Sequence, residues 1–169
     1  MSPRALLVGA PGAGKTTVGK ALAERLGVVF VDTDAVIEAT AGKSIPDIFL
    51  EDGEDAFRAM ETEALRDAIA SCDGVVSLGG GVVLREENRA LLADQPVVWL
   101  EVSLVDAITA VGLGTSRPLL MGNVRGRLMD LLKERTPLYE AVARHRVSNS
   151  KRSVAATVDD IITRIGAPA

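Results

Sequence analysis

The sequence predicts an α/β fold in three layers, with a five-stranded parallel sheet between two layers of helices. Short apolar runs alternate with segments whose apolar residues recur at helical spacing. Those runs are continuous rather than interrupted by polar residues, which is typical of parallel strands buried on both faces. With 169 residues, 47% of them hydrophobic, the chain is expected to form one domain over residues 1–169.

The elements are expected to alternate along the chain, and glycine and proline mark their ends. We expect strands at 5–8, 28–31, 75–78, 97–102 and near 146–148. Helices are expected after the first strand, after Ser44, through Phe57–Ala68, around 90–92, and at 104–110, 125–134, 137–145 and 154–165. Pro137 is expected to separate two of these helices. Residues 112–124 contain three glycines and a proline, and predict a mobile loop.

A phosphate-binding motif follows the first strand. Residues 9–16 fit the pattern G-x-x-x-x-G-K-[ST], in which glycines turn backbone N–H groups toward phosphate oxygens. In that pattern Lys15 reaches the β- and γ-phosphates, and the Thr16 hydroxyl can ligate Mg²⁺. The loop opens a helix, whose N-terminus favours an anion. The ordinary alternative is a glycine-rich turn with a surface lysine. We expect the nucleotide phosphates to contact Gly12, Ala13, Gly14, Lys15, Thr16 and Thr17.

Polar or glycine-rich loops also follow the second and third strands. Asp32 and Asp34 are two residues apart, so on a strand both carboxylates would face one cleft. One could support a Mg²⁺-bound water while the other holds a substrate hydroxyl. The alternative is a turn in which one aspartate caps the next helix. Gly79–Gly81 would let a ligand approach the backbone closely, or would form a flexible turn. Because ligands bind beyond the carboxyl ends of parallel strands, these loops should share one crevice.

Three arginines are candidate anion-binding residues, each with an ordinary alternative. Arg58 lies three residues before Glu61, and either binds a carboxylate with its guanidinium or forms a surface ion pair. Arg117 lies in the glycine-flanked loop, and either closes over a transferring phosphoryl group or is solvated. Arg135 could complete an anion clamp with Arg58, or could be a last-turn residue favoured by the helix dipole.

Bulk properties exclude several classes of protein. The net charge of −4 argues against nucleic-acid binding, and no apolar run approaches the ~20 residues of a membrane span. Cys72 has no partner for an internal disulfide, and His145 has no second histidine with which to bind a metal. The N-terminus leads directly into the first strand without a signal-peptide pattern. We expect a cytoplasmic monomer with no nucleic-acid partner and no membrane association.

The ordered set of motifs resembles that of the shikimate kinases, over residues 5 to about 165. The similar segments are the phosphate loop, Asp32–Asp34, Gly53–Glu61, Ser77–Gly81, Arg117–Leu120 and Arg135–Tyr139. The resemblance implies a P-loop kinase fold with a mobile lid at about 112–124 and a shikimate-binding region at about 32–61. It implies transfer of the γ-phosphoryl group of ATP to the 3-hydroxyl of shikimate, with Mg²⁺ as cofactor.

The resemblance also implies a role for each acceptor-side residue. Asp34 would hold the ring hydroxyls of shikimate, while Arg58 and Arg135 would grip its carboxylate. The backbone of Gly79, Gly80 and Gly81 would add contacts. Asp34 would also orient the attacking hydroxyl, which makes it one of three expected catalytic residues.

On the nucleotide side, the resemblance makes Thr16 a Mg²⁺ ligand that Asp32 supports through water. Lys15 and Arg117 would stabilise charge on the transferring group and complete the catalytic set. Such a set fits phosphoryl transfer, which depends mostly on positioning and electrostatic stabilisation.

One departure from the family pattern concerns adenine. Family members commonly stack adenine between an arginine and a proline, and the matching positions here are Ala110 and Val154. Losing the arginine plane removes a cation–π contact of about 0.5–2 kcal/mol. Arg152 remains nearby and is expected to contact the nucleotide. The departure motivates an alternative, a non-catalytic binding module, and gluconate is an alternative acceptor. The intact Lys15 and Asp34 favour the kinase.

Overall fold

The structure is a computed structural model that describes residues 2–112 and 118–166. Its strands all run parallel in one sheet with the order β2-β3-β1-β4-β5, which confirms the expected fold class. The strands are β1 (Ala5–Val8), β2 (Phe30–Asp32), β3 (Val75–Ser77), β4 (Val97–Glu101) and β5 (His145–Ser148). The helices are α1 (Lys15–Leu26), α2 (Thr33–Ala41), α3 (Ile45–Glu51), α4 (Glu54–Ser71), α5 (Glu86–Leu92), α6 (Leu104–Gly112), α7 (Pro118–Val142) and α8 (Val154–Gly166), and Val82–Leu84 forms a 3₁₀ turn.

Helices cover both faces of the sheet, as continuous apolar strands require. Successive residues of β1 point to opposite faces, so Leu6 and Val8 join one core cluster while Ala5 and Leu7 join the other. The first cluster is closed by residues of α4, α5 and α7, and the second by residues of α1 and α8. These layers hold the carboxyl ends of the strands at one edge of the sheet.

The second strand starts later than the sequence predicts. Gly27 ends α1 in the left-handed conformation at φ 68°, and the Val28 N–H donates to Ala23 O at 3.0 Å. This is the hydrogen-bond pattern of a glycine helix cap. Because the cap uses the Val28 N–H, pairing with β3 begins at Phe30 opposite Val75. The predicted strand at 28–31 is therefore wrong by two residues at its start.

Helix α7 corrects two further expectations. It runs unbroken from Pro118 to Val142 with Pro137 inside it, so the two predicted helices are one. Tyr139 and Val142 are buried in the core just after the proline, and their packing outweighs the lost backbone hydrogen bond. Residues 118–124 of the loop expected at 112–124 belong to α7, and Gly112 is the last residue of α6. Residues 113–117 lie outside the described residues. Within the described ranges, no helix has the length and apolar character to cross a membrane.

Replacing Pro137 by alanine should raise the free energy of unfolding by about 1–2 kcal/mol. Proline costs ~3 kcal/mol in a helix interior, and part of that gain is lost because alanine makes the unfolded chain more flexible. Pro137 is exposed, so the change removes little packing. Urea unfolding would measure the effect, with Glu134→Ala, an exposed position on the same helix, as a control expected within ~0.5 kcal/mol. Destabilisation by Pro137→Ala would contradict this account of α7.

Candidate active site

A cleft of about 310 Å³ opens beyond the carboxyl ends of β1, β2 and β3. The three loops that the sequence analysis expected to share one crevice all contribute to it. Its lining consists of Pro11, Gly12, Gly14, Lys15, Thr16, Thr17, Asp32, Asp34, Ser77, Leu78, Gly79 and Gly80. Strands β1 and β3 are neighbours in the sheet, but the helices that follow them, α1 and α5, lie on opposite faces. Open α/β sheets bind their ligands at such a point.

The phosphate loop has the conformation that its sequence predicts. Gly14 lies in the left-handed region at φ 86° and immediately precedes α1, so the loop opens onto a helix N-terminus. Lys15 Nζ donates to Gly9 O at 2.8 Å and to Ala10 O at 3.0 Å. Burial lowers the pKa of Lys15 to about 8, although the nearby carboxylates Asp34 and Asp32 oppose this. The Lys15 ammonium is thus held against the first residues of the loop, near the carboxylates of Asp32 and Asp34.

Asp32 and Asp34 both line the cleft, but not as neighbours on a strand. Asp32 ends β2 and caps α2, accepting the Asp34 N–H at 2.9 Å, while Asp34 lies in the first turn of that helix. The strand geometry expected for this pair is therefore wrong, and the capping alternative is correct. The cap still brings both carboxylates to the cleft, because α2 begins at its edge. Thr16 Oγ1 donates to Asp32 Oδ2 at 3.4 Å, which connects the pair to the phosphate loop.

Charged groups pack against each glycine of the turn after β3. A Cβ at Gly79 would lie 2.8 Å from Asp34 Oδ1 and 2.9 Å from Glu61 Oε2. A Cβ at Gly81 would collide with the Arg58 guanidinium, 2.7 Å from Nη2, and one at Gly80 would lie 3.3 Å from Arg135 Nη1. The turn is therefore not merely flexible, because any side chain there would displace a charged neighbour.

Arg58 is largely shielded from solvent and pairs with a buried glutamate rather than forming a surface ion pair. Its Nη1 donates to Glu61 Oε1 at 2.9 Å, and only 11% of the Arg58 side chain and 1% of the Glu61 side chain are exposed. Glu54 contacts the Arg58 Nε at 3.3 Å, and the guanidinium lies 5.1 Å from the centre of the Phe57 ring. Burial raises the pKa of Glu61, while the Arg58 guanidinium opposes that shift. The ion pair fixes the guanidinium beside Gly81.

Three polar atoms in the cleft or beside its glycine turn have no hydrogen-bond partner within the described part of the chain. They are Asp34 Oδ1, Glu61 Oε2 and Arg135 Nε, all fully buried. Burial, and secondarily the charge of Asp32, raise the pKa of Asp34. Buried polar atoms are nearly always satisfied, so such a group points to a ligand. Two carboxylate acceptors and one guanidinium donor suit a ligand that carries both hydroxyl groups and a carboxylate.

Two supporting residues were missed by reasoning from the sequence. Tyr139 is fully buried and donates its hydroxyl proton to Gly80 O at 2.6 Å, which ties α7 to the glycine turn. Its position in the Arg-x-Pro-Leu-Tyr segment was the only available signal. Asn149, directly after β5, donates from Nδ2 to Ala13 O at 2.7 Å. No sequence pattern pointed to that contact, which spans 136 positions of the chain.

The other predicted nucleotide-side residues do not line the cleft. Arg117 lies outside the described residues. Arg152 Nη1 donates to Ser148 O at 3.0 Å and contacts Asp160 at 3.2 Å, so its guanidinium is engaged between β5 and α8. Ala110 is exposed, and Val154 begins α8 with 37% of its surface exposed. The adenine end of the site thus has no buried residue at either position.

A divalent cation would find oxygen ligands near the phosphate loop. Among the described residues, no group of three or more histidine, cysteine, aspartate or glutamate side chains is arranged to hold a metal ion. The Thr16 hydroxyl and the Asp32 carboxylate are, however, within hydrogen-bond distance of each other. This sparse oxygen set fits Mg²⁺, which keeps several waters and binds through one or two protein oxygens together with substrate phosphates.

Comparison with known proteins gives a consistent result. A family model described as shikimate kinase matches residues 11–166. A shikimate kinase from Thermobifida fusca is 59% identical over 89% of this chain and 88% of its own length. One from Saccharopolyspora erythraea is 54% identical over 99% of this chain and 96% of its own. The solved shikimate kinase from Acinetobacter baumannii in complex with shikimate superposes with a TM-score of 0.89 at 36% identity, covering 98% of this chain and 93% of that one.

Replacing Lys15 by methionine should raise the free energy of unfolding at pH 7. The folded state lowers the pKa of Lys15 from 10.5 to about 8, so burying the charged form costs stability below pH 8. Between pH 8 and pH 10.5 the unfolded state binds the extra proton, which favours the folded wild type as pH rises. The stability gap between variant and wild type should therefore narrow across that window.

Chemical denaturation at a series of pH values would measure this gap. Lys20→Met is the matched control, because Lys20 is an exposed position of α1. It should show no pH-dependent gap. A gap for Lys15→Met that stays constant from pH 7 to pH 10.5 would contradict the burial account.

Proposed function

The chain belongs to the shikimate kinase family, and from that premise we propose how its own residues carry out the family's reaction. It is an ATP-dependent kinase that transfers the γ-phosphoryl group of ATP to the 3-hydroxyl of shikimate, giving shikimate 3-phosphate and ADP. The observation that carries our assignment is the set of unsatisfied buried polar atoms beside the phosphate loop. These atoms match the hydroxyl groups and the carboxylate of this acceptor.

On the acceptor side, Asp34 accepts hydrogen bonds from the shikimate hydroxyls through its free Oδ1. Arg58 and Arg135 bind the shikimate carboxylate, and Gly79–Gly81 lets the ring lie against the backbone. This assignment is supported by the Arg58 and Arg135 nitrogens near Gly81 and Gly80. Glu61 keeps the Arg58 guanidinium in place, so binding does not require a long side chain to be ordered first.

On the donor side, the segment Gly12–Thr17 holds the ATP phosphates with its backbone N–H groups and with the side chain of Thr17. Lys15 leaves the carbonyls of Gly9 and Ala10 and binds the β- and γ-phosphates. Phosphate charge would raise the pKa of Lys15 from its lowered value, so the ammonium would be fully charged during the reaction. Mg²⁺, held by Thr16 and through water by Asp32, would supply further positive charge to the phosphate oxygens.

The chemistry then depends on alignment and charge rather than on a covalent intermediate. Asp34 orients the 3-hydroxyl toward the γ-phosphorus and accepts its proton as the new bond forms. Its raised pKa suits that role, because a base is more effective when its pKa lies nearer the working pH. Arg117 closes over the transferring group as part of a lid at about 112–124. Arg152 acts on the nucleotide side through the β5–α8 loop that it holds.

The function is tested by a coupled assay of ADP release with purified protein, Mg-ATP and shikimate. Shikimate 3-phosphate should appear in step with ADP. Turnover with gluconate but not with shikimate would overturn the assignment of the acceptor. We also propose that the protein is cytoplasmic and that it is a monomer, the latter because the described acceptor and phosphate groups all come from one chain. Sedimentation of the purified protein would check that state.

Arg58→Ala should raise KM for shikimate far more than KM for ATP. The change removes a charged hydrogen-bond donor from the carboxylate, worth about 1.5–3 kcal/mol, or roughly 10- to 150-fold. It also leaves the buried Glu61 without its partner, so thermal stability should fall. Arg66→Ala is the matched control, because Arg66 lies two turns further along α4 in an exposed pair with Glu87. Equal weakening of both substrates by Arg58→Ala would mean that Arg58 is not the carboxylate anchor.

Arg117→Ala should lower kcat by a factor on the order of 10³ while the fold is retained. A cation that closes over a transferring phosphoryl group typically contributes 10³–10⁵ in rate. Steady-state kinetics at saturating substrates would measure kcat, and circular dichroism would confirm folding. Arg127→Ala, an exposed arginine of α7, serves as the control and should leave kcat within about twofold. An unchanged kcat for Arg117→Ala would remove Arg117 from the mechanism.

A further inference from the structure

We propose that Asn149 is a positioning residue for the nucleotide phosphates. Through one hydrogen bond to the backbone of the phosphate loop, it fixes the direction of the Gly14 N–H, and Thr157 holds Asn149 in the required orientation. The inference rests on the proposed nucleotide site and adds to it a brace from the opposite end of the chain.

Asn149 is held at three points. Its backbone N–H donates to Glu101 O at 2.8 Å, which continues the pairing of β5 with β4. Its side-chain Nδ2 donates to Ala13 O at 2.7 Å. Its Oδ1 accepts from Thr157 Oγ1 at 2.7 Å, and Thr157 is fully buried in α8. The amide therefore forms a bridge between α8 and the phosphate loop.

The orientation of this amide follows from the chemistry of its neighbours. Ala13 O can only accept a hydrogen bond, so the Asn149 atom that faces it must be the donor Nδ2. Oδ1 then faces Thr157, whose hydroxyl must donate. The hydroxyl also lies 3.3 Å from Ser153 O, but the contact with Asn149 is much shorter. If the Asn149 amide were rotated by half a turn, its Oδ1 would face Ala13 O, and two acceptors would lie in contact.

The bridge acts on the phosphate site through a single peptide plane. In a trans peptide the C=O of one residue and the N–H of the next point in opposite directions. Asn149 holds Ala13 O on the outer side of the loop, so the Gly14 N–H points to the inner side, where Gly14 lines the cleft. A Cβ at Gly14 would lie 2.7 Å from Asn149 Nδ2, so the two groups are in close contact.

A donor that is already fixed costs no reorganisation when a charged ligand arrives. Gly14 has a left-handed backbone at φ 86° and directly precedes α1, and glycine can adopt many other conformations. Without the brace, the peptide unit between Ala13 and Gly14 could rotate, and phosphate binding would have to order it. The expected cost is about one hydrogen bond, ~1 kcal/mol or somewhat more, equivalent to roughly 5- to 20-fold in affinity.

The test is Asn149→Ala, with kinetics for both substrates. KM for ATP should rise roughly 5- to 20-fold, while KM for shikimate stays within about twofold. Calorimetry should show that MgADP and inorganic triphosphate are weakened by the same factor, because both use the Gly14 N–H. Thr157→Val, which removes only the hydroxyl, should shift KM for ATP in the same direction by a smaller factor.

The chain supplies a matched control at Asn88. There too a buried asparagine donates to a backbone carbonyl, Val82 O at 3.0 Å, and accepts from a threonine, Thr62 Oγ1 at 2.8 Å. This second bridge joins α4 and α5 to the 3₁₀ turn instead of the phosphate loop. Asn88→Ala should lower Tm without raising KM for ATP, so a general loss of stability can be separated from a loss of positioning.

If the wild type phosphorylates shikimate, any one of three outcomes would overturn the inference. One is an unchanged KM for ATP in Asn149→Ala, and another is an equal rise of KM for both substrates. The third is weakened binding of MgADP with unchanged binding of triphosphate, which would place the effect of Asn149 at the base rather than at the phosphates. If the wild type failed to phosphorylate shikimate, the proposed function would fall, and triphosphate binding would still decide the role of Asn149.

Discussion

Opposite charges buried together at the carboxyl edge of the sheet are the constraint on which the rest of the structure depends. Burial raises the pKa of Asp34 and of Glu61, while Lys15 opposes the shift at Asp34 and the charge of Arg135 opposes the shift at Glu61. Burial alone disfavours every one of these charges. Only a turn without side chains, Gly79–Gly81, leaves room for them to approach so closely. The cleft is therefore balanced in charge but incompletely hydrogen-bonded, which is the condition in which a polar, charged ligand is most strongly favoured.

The parts of the structure that could be predicted are those whose cause is local. The phosphate loop is one such part, because the glycines, Lys15 and the helix start lie within a few residues of each other. The predictions were wrong where a second interaction competed with the local sequence pattern. The glycine cap of α1 delays β2, the Asp32 cap turns Asp34 into a helical residue, and core packing of Tyr139 carries α7 through a proline.

Contacts between distant segments could not be derived from spacing at all. Arg58 and Arg135 are 77 positions apart by their numbers (135 − 58), and only resemblance to a family assigned them to one carboxylate. The structure puts both beside the glycine turn because α4 and α7 pack in the same core. Arg135 and Tyr139 are one helical turn apart on α7, so a single helix supplies a clamp residue and the hydroxyl that holds Gly80.

The bridge from Asn149 to Ala13 also has a consequence for how the protein is made. It closes a loop of 136 residues, so it belongs to the most non-local contacts of the fold. Such contacts form late, because the chain must lose the entropy of closing the intervening loop first. During synthesis the phosphate loop leaves the ribosome 136 residues ahead of Asn149. A nascent chain thus carries the full phosphate-loop motif long before it has the contact that we propose orients it, because that contact needs β5 and α8.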